Sequence, residues 1–245
     1  MTRREILPER LAGATAVVLD VFLATTTLLA ILENGARGVY PVESLEEAEA
    51  ALERLGDGAL RGGEQRAQRI EGYDYGPFPD EYPPEAVADR DVIFVTTNGT
   101  RAIAQCAPAE HVLVGSLRNA PAVADHLQNS GTDHVCLVCS GASGGFNIED
   151  FLAATVIMSS MDLDGFRLND AAWVARDFAR NHPDDVREVL RTARAGQWFF
   201  RNDRVETFDF VADVGASSLV PEVVEGRLHN AAGEVVETEG GGDGG

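Results

Sequence analysis

A recurring rhythm limits this chain most: five short apolar runs, each ending in small or polar residues and most leading into a helical pattern. Ala16–Phe22 precedes Ala24–Leu32, closed by Asn34-Gly35. Gly38–Val42 precedes Ser44-Leu-Glu-Glu-Ala, a capping box that starts a helix to about Leu55. Asp91–Thr97 precedes a helix capped at Thr100; His111–Ser116 precedes Pro121–Leu127, with Asn119 as cap and Gly131 as stop. His134–Val138 precedes a glycine loop and a helix beginning near Ile148. Strand and helix alternating in this way mean βαβ units with right-handed crossovers. The expected fold is α/β, a largely parallel sheet with helices on both faces. Loops beyond the carboxyl ends of such strands carry ligands. Asp20, Thr97–Arg101, Ser116–Asn119 and Ser140–Asp150 all fall there.

Two regions break the rhythm. Residues 56–90 hold Gly62-Gly63-Glu64 and the stretch Gly72-Tyr-Asp-Tyr-Gly-Pro-Phe-Pro, too rich in Gly, Pro and Tyr for helix. Long loops in compact domains are often functional. After Asp162 the pattern reads as helix over Asn169–Arg180 and Pro183–Ala193, then as strand over Val205–Val211 and Ser218–Pro221. The expected organisation is an α/β domain over 1–160 carrying most of the site and a helix-rich second half over 161–235 packed on it. A disordered acidic, Gly-rich tail over 236–245 completes it.

Charge narrows the function classes. The chain has 40 acidic and 20 basic residues, a net charge of −20, and every basic residue is arginine. Such a coat stays soluble at high salt, where screening mutes self-repulsion, and reads as adaptation to a saline cytoplasm. It argues against nucleic acid or anionic membranes as partners, since both need basic patches. No run approaches the ~20 apolar residues of a membrane span. No apolar core of leader length follows the early charges, so a cytoplasmic protein is expected. The three cysteines imply no disulfide framework; Cys136 and Cys139 have metal-pair spacing but sit in a strand, where residues three apart face opposite sides. Buried core thiols are the expectation.

Three constellations carry chemistry. Thr96-Thr97-Asn98-Gly99-Thr100-Arg101 ends a strand and opens a helix, where unpaired N–H groups and an arginine fork suit an anion. The same residues also read as an ordinary βα turn with a surface arginine. Ser140–Asp150 is a glycine-rich turn feeding a helix with Asn147 able to cap; it is neither a Walker loop nor GxGxxG. Glu149 and Asp150, in that helix's first turn, either favour its dipole or hold a hard divalent cation. Asp20 is a carboxylate among apolar residues and needs a cation, a donor or a metal; Glu64 is a weaker member of the set. The five histidines are scattered, and none sits at a strand end.

Taken in order, Asp20-Val-Phe-Leu-Ala-Thr-Thr-Thr, Gly63-Glu64, Gly72-Tyr-Asp-Tyr-Gly, Thr97-Asn-Gly-Thr-Arg101-Ala, Gly115-Ser116-x-x-Asn119 and Cys139-x-Gly141 with Glu149-Asp150 resemble the 2-phosphosulfolactate phosphatase family. The match runs from about Ala16 to Ala154, with a weaker tail over Asp170-Ala-Ala and Val211–Pro221. The resemblance implies an α/β, magnesium-dependent enzyme acting on phosphate esters of sulfonated hydroxy acids, supplying sulfolactate on a route to coenzyme M. The chain departs from the family pattern at Leu23, where the family has arginine, and at Gly76-Pro77-Phe78-Pro79, where it has Gly-Asn-Ser-Pro. An arginine lost from a buried charge contact costs roughly 2–5 kcal/mol.

The expectation is therefore a magnesium-dependent phosphatase for 2-phosphosulfolactate or a similar small phosphorylated hydroxy acid, with a homodimer as the candidate assembly. Asp20, Glu64, Glu149 and Asp150 would hold the metal, and Thr97, Asn98, Gly99, Thr100, Arg101, Ser116 and Asn119 would bind the anionic ester. Asp20, Arg101, Glu149 and Asp150 would be catalytic. The nucleophile would be metal-activated water; a covalent Asp20 intermediate lacks the usual Asp-x-Asp. Two other readings remain at this point: a non-catalytic binding protein for a small anionic metabolite, and a cysteine hydrolase through Cys139.

Overall fold

The computed structural model describes residues 1–142, 145–181 and 186–231. In chain order, α1 (Pro8–Leu11) leads to β1 (Thr15–Leu19) and α2 (Ala24–Glu33), then β2 (Gly38–Val42) and α3 (Leu45–Leu55). β3 (Leu60–Gln65), β4 (Gln68–Arg69) and α4 (Pro84–Val87) follow, before β5 (Asp91–Val95) with α5 (Gly99–Gln105). β6 (His111–Gly115) leads to α6 (Ala120–Asn129), and β7 (Val135–Cys139) to α7 (Ile148–Ser159). The second half holds α8 (Asp170–Asn181), α9 (Val186–Thr192), α10 (Arg194–Arg201), α11 (Val205–Val211), β8 (Pro221–Val224) and β9 (Arg227–Asn230).

All five expected strand–helix units are present, and the period-2 alternation of side chains between the two faces explains the layers. Ala16 and Val18 of β1 pack with Val92, Phe94, Leu28, Ile31 and Ile103 in one core. Val17, Leu19 and Val21 face the other way, onto α6, α7 and α9–α11. Ile93 and Val95 meet α3 on that second side of β5. Helices thus cover both faces, as a sheet apolar on both sides requires.

Among the described residues the sheet has nine strands in the order β4-β3-β5-β2-β9-β8-β6-β1-β7. β3, β5 and β2 form one parallel triplet, and β6, β1 and β7 another. Between them the β8–β9 hairpin makes antiparallel pairings to β2, within itself and to β6. Three reversals in succession make the two triplets run in opposite senses along the sheet. A twist of about 20–25° per strand over the five steps from β5 to β1 accumulates to roughly 100–125°. That rotation swings the two sets of carboxyl ends towards one side, where they meet.

Several local expectations are corrected. Val205–Val211 is a helix: Thr207, Phe208 and Val211 are buried, a spacing that fits one helical face. The strand expected over Ser218–Pro221 begins only at Pro221, as β8, and a further strand, β9, follows at Arg227. The 56–90 region, expected as irregular, contains β3, β4 and α4. α9 begins at Val186; residues 183–185 of the expected helix, and the tail over 236–245, lie outside the described residues. The second half also does more than pack on the first, since Pro221–Asn230 supplies two strands in the middle of the sheet.

Candidate active site

The parallel register fixes the centre. Leu19 of β1 pairs with Cys139 of β7, so the next residues, Asp20 and Ser140, emerge side by side at the carboxyl ends. Ser140 N–H donates to Leu19 O at 2.8 Å. Asp150, wholly buried in the first turn of α7, ties the two exits together: Val21 N–H donates to its Oδ1 and Gly141 N–H to its Oδ2, both at 2.9 Å. Glu149 is buried beside it.

From the opposite triplet the β5–α5 loop reaches the same place. A Cβ on Gly99 would stand 2.7 Å from Asp20 Oδ2 and 2.4 Å from Ala24 Cβ, so only glycine lets this loop lie against the carboxylate. Asn98, one residue earlier, occupies the N-cap position of α5 without a capping hydrogen bond, and its Oδ1 is buried with no partner. Thr100 does not cap. It lies inside the helix, where its N–H donates to Thr96 Oγ1 (3.2 Å) while Thr96 N–H donates to Thr100 Oγ1 (2.9 Å). One of the amides expected to face an anion is therefore consumed by the protein itself.

Electrostatically the centre is an excess of buried negative charge. Burial pushes the Asp20 carboxyl well above the ordinary carboxylate value, and Asp150, Glu64 and Glu149 add to the shift. Burial pushes Asp150 up to about 7 against the pull of the Gly141 and Val21 amides. Glu149 is raised by burial and eased by the Asn147 side chain and by Arg194. Among the described residues none of these three carboxylates has an ion-pair partner. Ser140 Oγ and Asn147 Oδ1, both more than nine-tenths buried, have no hydrogen-bond partner either. Buried carboxylates beside unsatisfied neutral oxygens form the donor chemistry of a hard cation. Among the described residues no three carboxylate, imidazole or thiol groups cage a point by themselves. Magnesium commonly binds to one or two carboxylates and completes its shell with water and phosphate.

A cleft of about 230 Å³ opens beside this centre, lined by Glu43, Glu64, Arg66, Thr97 and Arg101 among others. Glu64 acts as a latch. Thr97 N–H donates to its Oε1 at 2.6 Å, and Thr97 Oγ1 and Ala67 N–H donate to its Oε2 at 2.9 and 2.6 Å. Arg101 is exposed, its Nε donating to Glu43 O at 3.3 Å. Arg66 escaped the sequence reading because the β3–β4 hairpin that carries it was not foreseen.

Two expected substrate residues are tied into the framework, although Ser116 leaves β6 next to the β1 exit, Gly115 being paired with Leu19. Ser116 and Asn119 are wholly buried, and Ser116 N–H donates to Asn119 Oδ1 at 2.8 Å. Asn119 Nδ2 donates to Val114 O and Leu219 O, both at 3.1 Å. They pin the β6–α6 turn to the chain before β8, and Asn119 holds the N-cap position without capping. Ser143 and Gly144 of the glycine loop lie outside the described residues. Cys139 offers no nucleophile, since burial and the Asp150 charge push its thiol up to about 12 and keep it protonated. All three cysteines are free.

The model of the family described as 2-phosphosulpholactate phosphatase matches residues 1–226. The chain belongs to the 2-phosphosulpholactate phosphatase family. Its relatives include a protein of Symbiobacterium thermophilum named a probable 2-phosphosulfolactate phosphatase, 37% identical over 90% of this chain and 95% of that protein. A likewise named protein of Deinococcus radiodurans is 35% identical over 91% and 93%. One of Clostridium perfringens is 44% identical over 76% of each. The two departures from the family pattern lie together. Phe22, Leu23 and Phe78 pack against the core that α10 and α11 close. The Phe22 and Phe199 rings are 4.7 Å apart, Phe78 stacks on Trp198 at 6.1 Å, and Arg204 lies 3.7 Å over Phe78. Apolar side chains at these positions thus join an aromatic floor beneath α10. No described helix is long and apolar enough to cross a membrane.

Proposed function

We propose that this chain is a magnesium-dependent phosphoric monoester hydrolase that converts 2-phosphosulfolactate, or a similar small phosphorylated hydroxy acid, to sulfolactate and phosphate. The observation that carries the reading is the meeting, at the exits of β1 and β7, of the buried Asp20 and Glu149, which make no ion pair, with the buried and unpartnered Ser140 Oγ and Asn147 Oδ1. These residues fit a magnesium ion and would hold it. A magnesium ion bound there supplies charge neutralisation at the phosphoryl group and a water acidified for attack.

The rest is work for the chain. Asp150 fixes the β1 and β7 exits relative to each other, so Asp20 and Glu149 keep their spacing. Asn98, from the opposite triplet, would donate its side-chain N–H to the phosphoryl group, its unpartnered Oδ1 suiting the cation instead. Glu64 holds Thr97 and so aims Asn98 and Arg101, whose fork binds the ester's negative charge.

The test is phosphate release from 2-phosphosulfolactate in molar KCl with magnesium, against an EDTA control and a panel of ordinary phosphate esters. Metal-dependent release preferring the sulfonated ester is expected. Release from other esters alone would change the substrate. Saturable binding without any release would overturn the enzymatic reading.

A further inference from the structure

The hairpin that carries Arg66 is unusual. β3 and β4 pair Gln65 with Gln68, leaving Arg66 and Ala67 as a two-residue loop with φ of 56° and 61°. Positive φ at both central positions is the type I′ geometry, which ordinarily calls for Asn-Gly. Here a long cationic side chain and a β-carbon hold it instead. Strained backbone of this kind persists where the surroundings over-determine it, and it gathers at ligand clamps. The surroundings are visible: Arg66 N–H donates to Thr97 Oγ1 at 2.7 Å, and Ala67 N–H donates to Glu64. The tip of the hairpin is thereby fastened to the loop that ends β5.

Arg66 and Arg101 line the same cleft. In a protein with two acidic residues for each arginine, Arg37, Arg61, Arg69, Arg118, Arg187 and Arg204 all have carboxylate partners. Among the described residues, Arg66 and Arg101, like several other arginines such as Arg54 and Arg90, make no ion pair; what sets these two apart is that they share a cleft in which Glu64 pairs with neither. The oxygens of Glu64 are turned onto Thr97 and the Ala67 amide. Two guanidinium forks without a carboxylate partner, in a small concave space, are a receptor for a compact oxyanion. The cleft and the carboxylate centre are joined by three consecutive residues: Thr97 lines the cleft, Asn98 carries the free Oδ1, and Gly99 touches Asp20. Two Cα steps span at most about 7 Å, the scale of a three-carbon ester with an anion at each end.

We propose that Arg66 and Arg101 clamp the anion of the substrate that is not hydrolysed, its sulfonate, while the phosphoryl group lies at the carboxylate centre. The assignment deepens the phosphatase reading and rests on it. Arg66 is then the specificity residue of the site, separating sulfonated esters from plain ones.

The test uses the full chain and calorimetry with sulfolactate, which carries the sulfonate and no phosphate. Arg66→Asn removes the guanidinium while suiting the turn, so its melting temperature should hold or rise, and the sulfolactate Kd should increase about tenfold. Ala67→Gly relaxes the same turn and keeps the charge; its Kd should match the parent's. In steady-state kinetics, Arg66→Asn should lower the kcat/KM ratio of 2-phosphosulfolactate over glycerol 2-phosphate about tenfold, mainly through KM. Absent or Arg66-independent sulfolactate binding overturns the clamp, as does an equal loss on both esters. Weakened binding of inorganic phosphate with sulfolactate affinity intact would move the phosphoryl group into this cleft and overturn it too. Arg66-dependent sulfolactate binding by a chain that releases no phosphate would keep the clamp and remove the phosphatase.

Discussion

Asp20 shows how a residue can be costly to the fold and necessary to the site. Its carboxyl, with those of Glu149 and Asp150, binds a proton more tightly in the folded chain than in the unfolded one. The folded state therefore holds more protons, and stability falls as pH rises. Without metal, stability should be greatest near the ordinary carboxylate value of 3.8 and decline as pH climbs through about 7, where Asp150 ionises. Asp20→Asn removes one of the repelling charges. The metal-free variant should melt higher than the parent at pH 8, with a flatter pH profile, while turnover falls by about 100-fold or more. Scanning calorimetry in EDTA across pH 4–8 checks the first part and phosphate release the second. A variant less stable than the parent at pH 8 would mean that Asp20 is already compensated within the protein.

Among the elements, the five βα units were legible because their apolar runs are bounded by polar or glycine residues and their helices carry start signals such as Ser44. β3 was not, since Leu-Arg-Gly-Gly-Glu-Gln has no strand-forming side chains after its first residue. It is a strand because of its neighbour: Gly63, at φ 120°, lies so close to β5 that a Cβ would stand 1.9 Å from Val95 O. α11 was misread because alternation over seven residues fits a strand and a short helix alike. The site divided in the same way. Buried carboxylates announce themselves in an apolar run, whereas a motif cannot tell a ligand-facing amide from one that holds the framework, as Asn119 does. The aromatic floor under α10 could not be read at all, because Phe22, Phe78 and Phe199 are distant in sequence. Phe199 is 3% exposed and packs on the residue pair that follows Asp20. Phe199→Ala should destabilise by roughly 3–5 kcal/mol, against less than about 1.5 kcal/mol for Phe199→Leu. Urea denaturation of both variants gives the comparison, and near-equal midpoints would show that the floor contributes little.

For the whole molecule, the dominant quantity is a net charge of −20 carried with no lysine. Self-repulsion of this size opposes compaction and is screened as the Debye length shrinks from about 10 Å at 0.1 M salt to about 3 Å at 1 M. The melting temperature should therefore climb steadily with KCl between 0.1 and 2 M. A melting temperature independent of KCl would mean that the acidic coat is tolerated without being costly, and the saline reading would fall.

The middle of the sheet has a mechanical meaning as well. The β8–β9 hairpin is in register with β2 at Val39–Leu228 and with β6 at Leu113–Glu222, and the His111–Glu222 and Arg227–Arg37 contacts flank the two seams. On one side of the hairpin stand Asp20, Ser140 and Glu149; on the other stand Glu64, Arg66, Thr97 and Arg101. A substrate gripped at both its ends would act as a clasp bridging the two triplets. Residues 221–230, which touch no reacting atom, would then set the span that the clasp has to cover.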